Sequence, residues 1–182
     1  MRIIGMAGWS GAGKTTLLTR AIPRLVARGL KVSTLKHAHH AFDIDKPGKD
    51  SYRHREAGAT EVLVASENRY ALMHELRGAP EPNIAELLGR LSPVDLVIIE
   101  GWKVAPYAKV EVFRQEVGKP PIYPADPYIL GIASDAPLPQ ANLPVVALSD
   151  TDAVVALMLE KSELLSVVMT RLTSASPALV GT

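Results

Sequence analysis

Apolar residues recur along this chain in short runs, separated by stretches with helical spacing and by polar loops. Residues 2–7 (Arg-Ile-Ile-Gly-Met-Ala) are the first run and read as a buried strand. Residues 17–28 continue a helix that stops at Gly29, and Pro23 inside it is expected to kink it or remove one hydrogen bond. Residues 32–35 predict a second strand, whose end at Lys36 and His37 opens a polar loop reaching residue 50. Residues 51–57 predict a short helix ended by Gly58. Residues 61–65 and 69–76 predict two strands joined by a turn at Glu67 and Asn68. Helical spacing returns over residues 83–91 at Ile84, Leu87, Leu88 and Leu91. Residues 96–99 (Leu-Val-Ile-Ile) form the most apolar run and fit a central parallel strand covered on both faces. Residues 129–133 and 145–148 predict two more core strands. Residues 151–172 predict one closing helix, capped by Ser149 or Asp150, and residues 173–182 are expected to fray. This alternation argues for one α/β domain over residues 1–172. It is expected to be a doubly wound, mostly parallel sheet with helices on both faces and an extra edge hairpin or strand.

Composition narrows the class. The 182 residues suffice for one domain with a full core, and 47% apolar with 21% charged residues match an ordinary globule. A net charge of +1 offers no electrostatic case for nucleic acid or an anionic membrane. No apolar run approaches the roughly 18 residues of a membrane span. The N-terminus reads as a strand, so no secretory signal is expected. Without cysteine there is no disulfide or thiolate metal site, which suits the cytoplasm.

The first loop carries the chemistry. Gly8-Trp9-Ser10-Gly11-Ala12-Gly13-Lys14-Thr15 fits the phosphate-binding pattern G-x-x-x-x-G-K-[ST], between a strand and a helix as that pattern requires. The glycines let the main chain wrap an anion, and Ser10 to Thr16 present N–H groups at a helix N-terminus. Lys14 would reach the terminal phosphates, and the Thr15 hydroxyl would ligate magnesium. The fold class is therefore that of a P-loop nucleotide-binding protein.

In such a sheet the ligand lies beyond the carboxyl ends of the strands. Asp95 and Glu100 flank the most apolar strand, and five residues at about 3.3 Å each separate them by roughly 16 Å. Glu100 is the acid expected near magnesium or the attacking water. Asp95 is expected to meet solvent at the opposite edge, pairing with a surface cation. The loop after the second strand brings His37, His39, His40, Asp43, Asp45, Lys46 and Lys49 to the ligand edge. Its histidines suit phosphate contact or solvation better than a metal, since no cysteine supports them. Asp43 and Asp45 are candidates for a switch-like contact to magnesium, and Pro47-Gly48 would let the loop turn sharply.

Several segments together make the pattern specific. Residues 9–18 are followed by Lys36-His37-Ala38-His39-His40, Asp45-Lys46-Pro47-Gly48-Lys49-Asp50-Ser51, Ala57-Gly58-Ala59, Glu100-Gly101-Trp102-Lys103 and Ala133-Ser134-Asp135. In this order they resemble the molybdopterin-guanine dinucleotide biosynthesis adaptor family, MobB, over most of the chain. The resemblance implies a cytoplasmic, homodimeric GTP-binding protein that assists the guanylyltransferase joining GMP to molybdopterin. GTP and Mg2+ are the implied ligands, and any intrinsic GTPase activity would be slow. Whether molybdopterin itself binds stays open. The usual guanine-reading Asn-Lys-x-Asp element is absent, and Asp135 is the best-placed substitute, a turn-forming role being its alternative. Residues 109–114 alternate polar and apolar side chains and are expected to form an edge strand, in their own sheet or across a dimer interface. Two other classes remain open. One is a GTP-dependent metal chaperone; the other is a small-molecule kinase with Arg53 and Arg55 as lid arginines.

Overall fold

The computed structural model describes residues 1–38, 42–102 and 104–174. Contacts divide the chain into two compact units, Ala38–Pro82 and the remainder. The larger unit begins with β1 (Arg2–Ala7), α1 (Lys14–Ala27) and β2 (Val32–Lys36). The smaller holds α2 (Asp50–Glu56), β3 (Glu61–Ala65) and β4 (Tyr70–His74). The larger resumes with α3 (Ile84–Gly89), β5 (Leu96–Glu100), β6 (Lys109–Phe113), β7 (Ile129–Ser134) and β8 (Val145–Ala147). It closes with α4 (Thr151–Lys161), β9 (Glu163–Leu164) and α5 (Leu165–Ser174).

Among the described residues the larger unit builds a seven-stranded sheet in the order β2-β5-β1-β6-β7-β8, with β9 on β1. Every pairing along that path is parallel. β6 pairs with Gly5, Met6 and Ala7 of β1, while β9 runs antiparallel against Arg2 and Ile3. Side-chain alternation divides the apolar residues between two cores. Ile4, Met6, Ile98 and Val110 pack with Leu17, Ala21 and Leu25 of α1 and Val154 and Met158 of α4. Ile3, Val97 and Ile99 join Ile84 and Leu88 of α3 and Val168 and Leu172 of α5. Helices thus cover both faces of a mostly parallel sheet, the α/β P-loop architecture. Pro23 lies inside α1 without ending it.

Four elements differ from expectation. β6 is not an edge strand: it lies between β1 and β7, and Lys109 to Val112 are buried. Its alternation reflects two buried charges with internal partners rather than a solvent face. Lys109 Nζ donates to the Ala105 carbonyl and to Asp126 Oδ2, both at 2.8 Å, and lies 5.1 and 5.4 Å from the rings of Tyr107 and Tyr128. Glu111 accepts from the N–H groups of Ile122 (2.7 Å) and Tyr123 (2.8 Å). Burial lowers the Lys109 ammonium pKa despite Asp126 beside it, and raises that of the Glu111 carboxyl despite its two donors.

The single closing helix is two helices. Ser162 is buried and extended, and it accepts from Arg2 Nε at 2.7 Å. Next to it Glu163 accepts from the Ala108 N–H at 2.7 Å and pairs with Arg171. Asp150 caps α4 by accepting from the Ala153 N–H at 2.9 Å. β8 ends the strand path and its residues are partly exposed, so it is a sheet edge rather than core. The expected edge hairpin, β3–β4, forms a two-stranded antiparallel sheet of its own.

Candidate nucleotide site

β1 delivers the chain into the glycine-rich loop at the carboxyl edge of the sheet. Gly8 has φ +142°, and a Cβ there would lie 2.6 Å from the Val112 carbonyl of β6. Only glycine lets the loop run this close to its neighbour. Gly13 is the N-cap of α1 with φ +89°, and no side chain caps the helix. The first-turn N–H groups therefore face outward for an anion. Lys14 Nζ donates to the Gly8 carbonyl at 2.8 Å and the Trp9 carbonyl at 3.1 Å, lying back along the loop. The Ala12 N–H closes the turn onto the Trp9 carbonyl at 3.1 Å. Ser10, Gly11, Thr15 and Thr16 are exposed around this cradle, and Ala12 is buried beneath it. The residues present fit a polyphosphate.

Glu100 ends β5 level with Met6 of β1 and Lys36 of β2, so it shares the loop's edge. Its carbonyl accepts from the His37 N–H at 2.9 Å, and the His37 and Trp102 rings lie 4.9 Å apart. Asp95 is exposed at the other end of the strand. Its Oδ2 accepts from the Lys31 N–H at 2.7 Å, so it anchors the start of β2 where a surface cation was expected.

A cleft of about 270 Å³ is lined by Arg20, Arg114, Ser134, Asp135, Leu148 and Ser149. Asp135 Oδ1 accepts from the Gln115 N–H at 2.9 Å, and its Oδ2 is 3.6 Å from Arg114 Nη1. Arg20 donates to the Leu148 carbonyl at 3.0 Å. Sequence reasoning missed both arginines, which stand outside the motif. A central position for β6 would have been the signal for Arg114, since the carboxyl end of any central strand meets the ligand edge.

Asp43 and Asp45 belong to the smaller unit, where Arg55 gathers acids. Its guanidinium contacts Asp43 at 3.0 Å, Asp45 at 3.2 Å and Glu75 at 2.9 Å. Burial pushes the Asp45 carboxyl up, but donors from Ser51, the Lys46 N–H and Arg55 outweigh it and leave the pKa below its usual value. The three acids hold the Arg55 guanidinium firmly protonated. His39 and His40 lie outside the described residues, as does Lys103. Among the described residues no group of three or more His, Cys, Asp or Glu side chains could hold a metal. Magnesium on a nucleotide needs less, because phosphates and water supply most of its oxygens.

The family model for molybdopterin guanine dinucleotide synthesis protein B, MobB, matches residues 3–135, from β1 through Asp135. This chain belongs to the MobB family. The molybdopterin-guanine dinucleotide biosynthesis adapter protein of Escherichia coli (strain K12) is 44% identical over 82% of this chain and 86% of its own length. The Haemophilus influenzae protein of the same name is 42% identical over 75% of this chain and 76% of its own. The crystal structure of Bacillus subtilis MobB superposes with a TM-score of 0.69 at 25% identity, covering 88% of this chain and 98% of that one. The MobB family match thus spans the phosphate loop and the Glu100 strand and ends at Asp135, one wall of the cleft. No helix among the described residues is long and apolar enough to cross a membrane.

Proposed function

We propose that this chain is a GTP-binding adaptor of molybdenum cofactor biosynthesis. It would assist a guanylyltransferase that attaches GMP to molybdopterin, forming the molybdopterin guanine dinucleotide cofactor. The observation that carries this reading is a complete phosphate loop in a chain of the MobB family. Residues Ser10 to Thr16 take the phosphates through main-chain N–H groups at the α1 N-terminus. Lys14 leaves the Gly8 and Trp9 carbonyls for the terminal phosphate. The Thr15 hydroxyl would hold Mg2+, which offsets phosphate charge, and Glu100 would orient the ion's water or the attacking water. Asp45 of the smaller unit accepts from Ser51 and Arg55. With Oδ1 held by Gln115, Asp135 Oδ2 is the atom available to guanine, accepting from its ring N–H and amine.

The protein acts in the cytoplasm as a homodimer and hydrolyses GTP slowly, its partner doing the chemistry. An apolar face on the smaller unit supports self-association. Leu63 pairs with Leu72 and Ala65 with Tyr70 across β3–β4, and Leu63, Leu72 and Tyr70 are 63%, 51% and 71% exposed. Calorimetric titration with GTP and ATP in Mg2+ tests the ligand. GTP should bind more tightly, and Asp135→Asn should erode the difference by about 1–3 kcal/mol. Equal wild-type affinities reject the guanine assignment. Cofactor formation by a guanylyltransferase, with and without this protein, tests the adaptor role.

A further inference from the structure

β6 ends beside the phosphate loop, and the next residue is Arg114. Gly5, Met6 and Ala7 pair with Lys109, Val110 and Glu111, so the strand's last residues run alongside Gly8. Arg114 Nη2 and Nε lie 3.3 and 3.8 Å from where a Cβ on Gly13 would stand. These two nitrogens form one edge of the guanidinium, the edge that matches two phosphate oxygens in a bidentate pair. The opposite nitrogen, Nη1, faces Asp135 Oδ2 and Glu116 Oε1, both at 3.6 Å. Those separations are ion-pair contacts beyond hydrogen-bond length, so they orient the guanidinium without consuming its donors. Arg20, the other arginine of the cleft, is committed to the Leu148 carbonyl.

We propose that Arg114 is a phosphate-binding residue of the nucleotide site, gripping the diphosphate portion next to Gly13 with its Nε–Nη2 edge. Lys14 is assigned to the terminal phosphate, so the two cations divide the polyphosphate between them. The proposal rests on the nucleotide-binding reading, but not on which base is read. It predicts that Arg114 serves nucleoside diphosphates and triphosphates alike, because the contact lies away from the terminal phosphate.

Calorimetric titration of GTP, GDP and ATP in Mg2+ against wild type, Arg114→Ala and Arg114→Lys tests it, with thermal unfolding as the check on fold. Arg114→Ala should weaken GTP and GDP by the same factor, roughly ten- to hundredfold. Arg114→Lys should recover part of that loss, and the GTP-to-ATP ratio should not move. Unchanged GTP and GDP affinities in a folded Arg114→Ala overturn the proposal, as does a loss confined to GTP. A changed GTP-to-ATP ratio with GDP affinity intact also overturns it, making Arg114 only a support for Asp135. Wild-type protein that binds ATP as well as GTP defeats the guanine reading alone, since Arg114 is judged on the variant-to-wild-type ratio. Wild-type protein that binds no nucleotide defeats both.

Discussion

Glu111→Gln keeps the shape of a fully buried side chain and changes only what its end can accept. Glu111 is 0% exposed, and each carboxyl oxygen takes one main-chain N–H, from Ile122 at 2.7 Å and Tyr123 at 2.8 Å. Burial raises its pKa, and protonation is tolerable because a carboxylic OH keeps an acceptor lone pair for the N–H it faces. An amide nitrogen has no lone pair to offer. Whichever way glutamine turns, its NH2 meets one of the two N–H groups and leaves that donor unsatisfied in the core. The cost should be about 1–3 kcal/mol, a large share of a typical stability of about 5–15 kcal/mol. Glu111→Ala strands both donors and adds a cavity, so it should cost about 3–5 kcal/mol. Urea unfolding followed by circular dichroism reads this directly. With a slope of about 1–3 kcal/mol per molar, the glutamine variant's midpoint should fall by roughly 1 M. A midpoint within about 0.2 M of wild type at equal slope refutes the reasoning. Glu111 would then not be the clamp that fixes the segment after β6.

Other substitutions address the site and its supports. Lys14→Ala should lower GTP affinity by roughly ten- to hundredfold while leaving the circular dichroism spectrum intact, and unchanged affinity would sink the phosphate-loop assignment. Glu100→Gln should weaken magnesium-dependent binding or hydrolysis, whereas Asp95→Asn should not; greater damage from Asp95→Asn would contradict the roles assigned to the two ends of β5. Glu163 is held below its usual value of 4.5: burial pushes it up, but Arg171 and the Ala108 N–H outweigh that. Its contribution to stability is therefore full above pH 4.5 and lost as pH falls through the lower folded value. Glu163→Gln should cost about 1–3 kcal/mol at pH 7 and flatten the stability profile on the acid side. Wild-type and variant profiles that fall in parallel would show that this pair does not set the acid sensitivity.

Local chemistry made much of this protein legible. The phosphate loop is a contiguous spacing of glycines, lysine and threonine, and its task depends on main-chain geometry that those residues dictate in place. The run at residues 96–99 announced a strand covered on both faces because nothing polar interrupts it, and the acid after it had to lie at the ligand edge of a parallel sheet. Where partners are distant in sequence, pattern was silent or misleading. A period of two along β6 is the same whether its polar side meets water or buried partners, and only folding brings Asp126 to Lys109 and residues 122–123 to Glu111. Residues 160–163 (Glu-Lys-Ser-Glu) are a short polar interruption that one long helix could carry, yet the helix ends there, where Arg2, from the far end of the chain, donates to Ser162 and Glu163 pairs with β1. Asp45 has the chemistry of a magnesium ligand, and the pattern did not show that the fold of the smaller unit also brings Ser51 and Arg55 to its carboxylate. Arg114 had no motif at all. It reached the phosphate loop because burial of both charges on β6 allows that strand to sit beside β1, a decision made by long-range pairing and not by any local preference.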